Sequence, residues 1–248
     1  MSPSQARRHY KKAPITEAVI DIQIENGNSS DLKDVERLAL RLKDEFSTRL
    51  PIHQLQMGFQ VSAGADPEFL KDQQVLGFRL DRPGRVIQFR TTGFSYSHLP
   101  PYSDWPTFSA EAENYWSMYV AEFKPTRANR MAVRMINRLP IPSADIRLET
   151  CLNFYPTLPD SLPTDAQSLF MQLQLPMKHV DANAVAVLGL YSAPPVPNEN
   201  AIMLDIDLII QRSIPIGEDV FKTLNVIGEA KDDIFEACIT DKIRELIA

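Results

Sequence analysis

The chain has little of what common catalytic and metal-binding sites require. Its 248 residues include only two cysteines, four histidines and nine glycines. It has neither a Gly-x-Ser-x-Gly nucleophile motif nor a glycine-rich phosphate loop. The histidines are scattered and neither cysteine has a neighbour at ligand spacing, which argues against a metal site. We therefore expect no catalytic residue, no metal and no cofactor. The residues concerned are His9, His53, His98, His179, Cys151 and Cys238.

Long apolar runs and an excess of positive charge are also missing. No run approaches the ~18 apolar residues of a transmembrane helix, and no apolar stretch follows the basic residues 7–12 as in a secretory signal. Two cysteines are too few for a disulfide scaffold, which favours a reducing compartment, so the cytoplasm is the expected location. The net charge of −6 argues against non-specific binding to nucleic acid.

What the chain does contain is a pattern that recurs. A strand-like run with period-two alternation covers residues 18–24, and a second covers 131–137. A helix is predicted after Asp104 and another after Gly217. The strands open at Glu17 and Arg130 and the helices at Asp104 and Gly217, so both pairs of landmarks are 113 residues apart, from 17 to 130 and from 104 to 217. A shared interval at distant landmarks indicates internal duplication.

Each half is predicted to run strand, helix, three strands, helix. The fold class is therefore α+β: tandem βαβββα repeats forming a largely antiparallel curved sheet, with helices on one face and a pseudo-twofold axis. Residues 1–13 are expected to be a disordered basic tail, with the halves at 14–127 and 128–248. One integrated domain is favoured over two domains split near residue 140, because the strand at Arg130 follows its helix closely.

The individual predictions follow from periodicity and turn chemistry. In the first half they are a strand at 18–24, a helix at 32–46, a strand at 55–62, a hairpin of 75–80 with 86–92, a loop at 95–103 and a helix at 105–123. In the second half they are a strand at 130–139, a short helix at 143–152, strands at 169–176, 184–191 and 202–211, and a long helix from 217.

Several short motifs together resemble those of an uncharacterised, sporadically distributed bacterial family of about 250 residues. They are Pro14-Ile15-Thr16-Glu17-Ala18-Val19, Pro101-Tyr102-Ser103-Asp104-Trp105 and Arg134-Met135-Ile136-Asn137-Arg138. The resemblance carries no catalytic residues with it. The family's patchy occurrence implies a defence or toxin–antitoxin gene neighbourhood. At the level of fold, the predicted sheet also resembles saddle-shaped TATA-binding-protein-like and helix-grip arrangements.

An arginine ladder is the most unusual local feature. With period two, Arg130, Arg134 and Arg138 share one face of a strand, where their planar guanidinium groups suit an acidic partner or an anion. Asp205 and Asp207 share one face of another strand, and Glu17, Asp21 and Glu25 share one face of the first strand. Cross-strand pairing with these carboxylates is therefore the alternative, and the commoner, arrangement. The two readings predict an open and a sealed charged face, respectively.

A second candidate lies just before the first long helix. His98 and Tyr102 belong to a segment rich in aromatic residues and proline, which is typical of a stiff recognition loop. The simpler alternative is that Tyr102 packs on the helix while Ser103 or Asp104 caps it. The apolar positions of Cys151 and Cys238 predict small core residues.

Three functions remain open. The favoured hypothesis is a non-enzymatic interaction protein, the accessory or antitoxin-like member of a bacterial gene pair, whose protein partner is encoded by a neighbouring gene. The alternative is a binder of anionic small molecules, or an enzyme, with a cavity between sheet and helix and with Arg134 or Arg138 holding the acid group. Nucleic-acid binding on a saddle surface is the least favoured. A homodimer is also expected, because an open sheet has edge strands.

Overall fold

A computed structural model of the protein describes residues 10–25, 31–60, 68–142, 147–162, 167–197 and 199–248, without side-chain detail at 55–60, 68–73 and 218. Ten strands and five helices follow one another along these residues. In chain order they are β1 (Ile15–Ile24), α1 (Leu32–Arg41), β2 (Thr48–Gln60), β3 (Glu68–Arg82), β4 (Arg85–Arg90), β5 (Gly93–His98), α2 (Trp105–Phe123), β6 (Arg127–Ile141), α3 (Leu148–Cys151), β7 (Phe170–Pro176), β8 (Ala184–Ser192), β9 (Asn200–Ile210), β10 (Ile214–Pro215), α4 (Glu218–Cys238) and α5 (Asp241–Ile247).

All the described strands belong to one sheet. Its order is β2-β3-β4-β5-β1-β6-β9-β8-β7, every pairing is antiparallel, and β10 adds a short pairing to the start of β6. β1 and β6 lie side by side near the middle, and each carries the other strands of its own half on its outer side. The predicted α+β class with a largely antiparallel sheet is therefore confirmed.

The strands form where the sequence alternates. In β1 the apolar side chains of Ala18, Ile20, Ile22 and Ile24 are buried on one side of the sheet, as predicted. The predicted hairpin is present as β3 and β4 around the turn at Pro83 and Gly84. The predicted strand at 55–62 coincides with β2 as far as Gln60, and its last two residues lie outside the described part of the chain.

Helix ends follow capping chemistry. The side chain of Asp31 accepts a hydrogen bond from the backbone N–H of Lys33 at the start of α1, and Asp104 accepts one from Thr107 at 2.7 Å at the start of α2. Four aromatic side chains of α2 are buried in the core. They are Phe108, Tyr115, Trp116 and Tyr119.

Several elements differ from the prediction. α1 ends at Arg41 instead of residue 46, β2 and β3 each begin seven residues earlier than predicted, and β10 was not predicted. The segment expected to be a loop from residue 95 is strand β5 as far as His98, so the first half has four strands after its first helix and not three. β5 lies between β4 and β1 with both edges paired. Phe94 and Tyr96 alternate with serines, but this short run leads directly into Pro100 and Pro101, which favour a loop. The short helix predicted at 143–152 is reduced to the single turn of α3, and residues 143–146 lie outside the described part.

The described helices pack on one side of the sheet only. α1 contacts β3 and β4, α2 contacts β5, and α4 contacts β6 and β9. The buried apolar side chains of β1, β5, β6 and β9 point to this side and form one continuous core with the helices. No described helix covers the opposite side of the central strands. We call this side the open face.

Candidate functional site

The open face has a polar centre. A depression of about 470 Å³ is formed there by β1, β4, β5, β6 and β9. Three guanidinium groups and three carboxylates contribute to its lining, so that the depression as a whole has no excess of either charge. They belong to Arg90, Arg130, Arg134, Glu17, Asp21 and Asp207.

Asp21 joins two of the arginines. It lies on β1 and accepts a hydrogen bond from Arg130 Nη1 at 2.7 Å on the β6 side, and another from Arg90 Nη2 on the β4 side. Arg130 also lies 3.7 Å from Asp207 Oδ2. The side chains of Asp21, Arg90 and Arg130 are about four-fifths buried, so these charges are held in fixed orientations across three strands.

Arg134 forms the second pair of the open face. Its Nε donates to Asp205 Oδ1 at 2.8 Å and its Nη2 donates to Asp205 Oδ2, a bidentate arrangement that fixes the plane of the guanidinium. The hydrogen bonds with Asp205 raise the pKa of Arg134. The Arg134 side chain is still 45% exposed, so its outer edge faces solvent while its inner edge is anchored.

The surroundings of Asp207 on this face oppose its ionisation. Burial raises its pKa above the ordinary aspartate value, and the neighbouring Arg130 and Arg134 reduce that rise. Asp207 lies directly opposite Arg134 in the β6–β9 register, but the guanidinium turns to Asp205 instead.

Arg138 lies at the far end of the ladder. Its Nη1 donates to the backbone carbonyl of Pro194 at 3.0 Å, and its Nη2 lies 3.6 Å from Glu199. The three arginines therefore share one face of β6, as predicted, but each has different partners. The cross-strand pairing with Asp205 and Asp207 occurs at Arg134 and Arg130, but it does not seal the face, because the Arg134 side chain stays 45% exposed.

The structure places His98 and Tyr102 away from the open face. His98 is the last residue of β5 and is 1% exposed on the helix side of the sheet, where burial lowers its pKa. The Tyr102 ring packs at 5.4 Å from the His98 ring and at 6.0 Å from the Phe108 ring. Asp104, rather than Ser103, caps α2. These contacts match the simpler of the two interpretations of this segment.

A second concavity lies on the helix side, between the start of α2, the middle of α4 and the sheet. Its volume is about 500 Å³, and we call it the seam cavity. Aromatic side chains and carboxylates dominate its lining. The aromatic ones are Tyr10, Tyr102, Trp105 and Phe235, and the acidic ones are Asp104, Asp232, Asp233 and Glu236.

Among the described residues that line the seam cavity, Lys231 is the only cation. It is only 5% exposed, its Nζ donates to Asp232, and it lies 5.6 Å from the centre of the Trp105 ring. A cavity therefore lies between the sheet and the helices, and the described residues that line it do not include Arg134 or Arg138. Period-two alternation places those arginines on the opposite face of β6.

Sequence reasoning did not identify the lining of the seam cavity, because it comes from distant segments, chiefly residues 10–15, 102–106 and 231–236. The signal that was available is Lys231, a charged residue within the apolar stripe of α4. It interrupts that stripe by turning toward the Trp105 ring.

The described residues were also compared with what metal sites, reactive thiols and membrane spans require. Within the ranges described, no three His, Cys, Asp or Glu side chains come together as metal ligands. Cys151 and Cys238 are buried in the core, and burial raises the pKa of Cys238 to about 11. None of the helices described is both long enough and apolar enough to cross a bilayer.

By its structure, the chain is a mixed α+β protein built on one antiparallel sheet with a charged open face. Comparison with models of known protein families gave no match, and comparison with curated proteins gave none either. The resemblance to an uncharacterised bacterial family therefore stays a prediction.

Proposed function

We propose that the protein is a non-enzymatic binding protein whose open face receives a protein partner, and that this partner is the product of a neighbouring gene. The observation that carries the proposal is the set of anchored charges in the centre of an uncovered sheet. Asp21 and Asp205 hold Arg90, Arg130 and Arg134 in fixed orientations on this face.

Anchored charges favour a protein over a polyanion. Because carboxylates and guanidinium groups are equal in number around the depression, a partner gains most by presenting both signs in a complementary arrangement. Nucleic acid requires an excess of cations, and the whole chain has a net charge of −6. The half-exposed edge of Arg134 offers donors that are already oriented, which reduces the entropy lost on binding.

The proposal is tested by charge reversal at one anchored pair. Binding of the neighbour-encoded protein is measured by calorimetry for wild type, Arg134→Asp, Asp205→Arg and the double variant that carries both changes. The double variant restores the internal ion pair but reverses its direction. We expect its free energy of unfolding to return toward wild type while binding stays at least tenfold weaker.

The matched control is the Arg212–Asp181 pair, which joins loops outside the open face at 3.0 Å. The same reversal there is expected to leave binding unchanged. Absence of any complex with wild-type protein, or full recovery of binding in the Arg134→Asp, Asp205→Arg double variant, would contradict a docking role for the open face.

The seam cavity supports a second candidate function, the binding of a small molecule. Four carboxylates and four aromatic rings around the opening favour an aromatic amine over the anionic ligand expected from the sequence. Tyramine is a suitable first probe, read out by Trp105 fluorescence. We expect Glu236→Gln to weaken tyramine binding, and an unchanged fluorescence signal at saturating tyramine would remove this candidate.

We further propose that the sheet arose by duplication and fusion of one unit. The order β3-β4-β5-β1 is mirrored by β7-β8-β9-β6, and α2 and α4 begin at residues 105 and 218, again 113 residues apart. In this view β2 is an addition to the first half, and α3 is a shortened counterpart of α1.

A further inference from the structure

β7 forms one edge of the sheet, and no strand in the described part of the chain pairs with its outer side. At the two ends of this strand, Ser192 N–H donates to Leu169 C=O at 3.0 Å and Met177 N–H donates to Ala184 C=O at 2.8 Å. Odd-numbered residues therefore point their backbone groups toward β8. Because this direction alternates along a strand, Phe170, Gln172, Gln174 and Pro176 point theirs outward.

The side chains of β7 are unusually apolar for an edge strand. Phe170 is 77% exposed, Leu173 is 42% exposed and Leu175 is 39% exposed. No charged residue occurs between Leu169 and Met177. Exposed edges in monomeric proteins are normally protected by lysine, proline or a bulge, because an unprotected edge pairs with other chains.

The opposite edge of the sheet shows such protection. β2 includes Pro51, and its Arg49 reaches Glu36 on α1 and lies 4.9 Å from the centre of the Phe78 ring. In β7 the single proline, Pro176, lies at the end of the strand, at a position where its missing N–H points outward. Pro176 therefore interrupts neither the pairing with β8 nor the middle of the free edge.

The sequence of β7 has the symmetry that self-pairing requires. Phe-Met-Gln-Leu-Gln-Leu-Pro is nearly palindromic about Leu173, with glutamines on both sides and apolar residues beyond them. An antiparallel pair of identical strands centred at Leu173 places Leu173 opposite Leu173, Gln172 opposite Gln174 and Met171 opposite Leu175 of the second copy. Like side chains then meet on each face of the joined sheet.

The backbone alternation agrees with this register. The outward-pointing backbone groups of Gln172 lie opposite those of Gln174 of the second copy, and the reverse pair forms on the other side of the axis. The N–H of Phe170 lies opposite the carbonyl of Pro176 of the second copy. About six backbone hydrogen bonds form across the twofold axis. In a register shifted by one residue, the outward-pointing backbone groups of one copy would face residues whose own groups point toward β8. Most of the hydrogen bonds across the axis would then be lost.

We propose that β7 is a dimerisation strand through which two copies of this chain join their sheets antiparallel, with the twofold axis at Leu173. The dimer extends the sheet across the axis and covers the exposed side chains of Leu173 and Leu175. It leaves the open face at β1 and β6 accessible in both copies, because β8 and β9 separate β7 from β6.

Cysteine cross-linking of the full chain tests the register. In the proposed pair, Leu173 lies opposite its own copy at a non-hydrogen-bonded position, where α-carbons are about 4.5 Å apart, within the range of a disulfide. We expect Leu173→Cys to form a covalent dimer under mild oxidation. Leu175→Cys is the matched control. Its α-carbon lies about 14 Å from that of its own copy, so it should not cross-link. The native cysteines are buried.

Charge complementation tests the association without a covalent bond. Leu173→Lys opposes two like charges at the axis, so sedimentation velocity should show a monomer, and so should Leu173→Glu alone. A mixture of the two variants should recover the dimer. Leu50→Lys on the β2 edge, where Leu50 is 51% exposed, should stay dimeric. Equal cross-linking of both cysteine variants, or a mixture that stays monomeric, would overturn the proposal.

Discussion

The indole of Trp105, the first residue of α2, packs directly on the backbone of Gly228 in α4. A β-carbon at position 228 would lie 2.4 Å from Cε2 and 2.5 Å from Cζ2 of that ring. Trp105 Nε1 also donates to Asn225 Oδ1 at 2.9 Å, one turn earlier on α4. This contact joins the long helices of the two halves beside the seam cavity, and it requires glycine for space rather than for backbone freedom.

Gly228→Ala should therefore destabilise the protein. In most helices this change stabilises by about 0.5–1 kcal/mol, because alanine restricts the unfolded chain. Here we expect a loss of about 1–3 kcal/mol from overpacking, measured by urea unfolding. Val226→Ala, at an exposed position of the same helix, is the control and should have little effect. In a Trp105→Ala background the cost of Gly228→Ala should disappear, and its persistence would contradict the steric explanation.

Glu111 should link stability to pH on the helix side of the sheet. Burial opposes its ionisation, but hydrogen bonds from Arg85 and Tyr96 outweigh burial and lower its pKa below the ordinary value. The contribution of ionised Glu111 to stability is therefore present above the unfolded-state pKa of about 4.3, and it is lost as the pH falls through the folded-state pKa. We expect Glu111→Gln to cost about 1–3 kcal/mol at neutral pH, and less in acid. Glu113→Gln, exposed on the same helix, should be nearly neutral at both pH values.

Asp207 should titrate at a higher pH than an ordinary aspartate. Because burial raises the pKa of Asp207 in the folded protein, ionisation of this carboxyl lowers the stability of the fold as the pH rises through its folded-state pKa. Arg134→Ala removes a charge that lowers this pKa, so the carboxyl carbon of Asp207 should titrate at a still higher pH in NMR spectra. Arg138→Ala is the control and should leave the titration in place. A fall in the Asp207 pKa on Arg134→Ala would show that the guanidinium is not held near this carboxylate.

The two cysteines should be unreactive in the folded protein. Both thiols are buried, and burial raises the pKa of Cys238 to about 11, so little thiolate exists at pH 8. We expect no rapid reaction with a bulky aromatic disulfide reagent under native conditions, and two reactive thiols per chain in denaturant. Rapid native labelling of either cysteine would show that its part of the core opens easily.

Local pattern was sufficient for much of the fold. Three elements were predicted from residues that are neighbours in sequence. The alternation from Ala18 to Ile24 predicts β1, the turn at Pro83 and Gly84 predicts the hairpin of β3 and β4, and the cap at Asp104 predicts α2. β5 was missed although Phe94 and Tyr96 alternate with Ser95 and Ser97, because this short alternation runs directly into the prolines at 100 and 101, which favour a loop.

The sites were less predictable because distant residues form them. Alternation correctly placed the three arginines on one face, but only the register of β6 with β1 and β9 shows that Arg130 reaches Asp21 and that Arg134 prefers Asp205 to Asp207. The contact of Trp105 with Gly228 spans more than 120 positions and leaves no periodic signal.

The central pairing of β1 with β6 also has a consequence for synthesis. During translation β1 can pair with β5 as soon as the first half has left the ribosome. The other edge of β1 stays unpaired until β6 emerges after α2. The nascent first half should then act as a template on which β6, and afterwards β9, is added. We therefore expect a ribosome paused within α2 to expose the unpaired edge of β1, and one paused after β6 to expose the outer edge of β6 until β9 emerges, so that the site needing chaperone protection moves along the growing sheet.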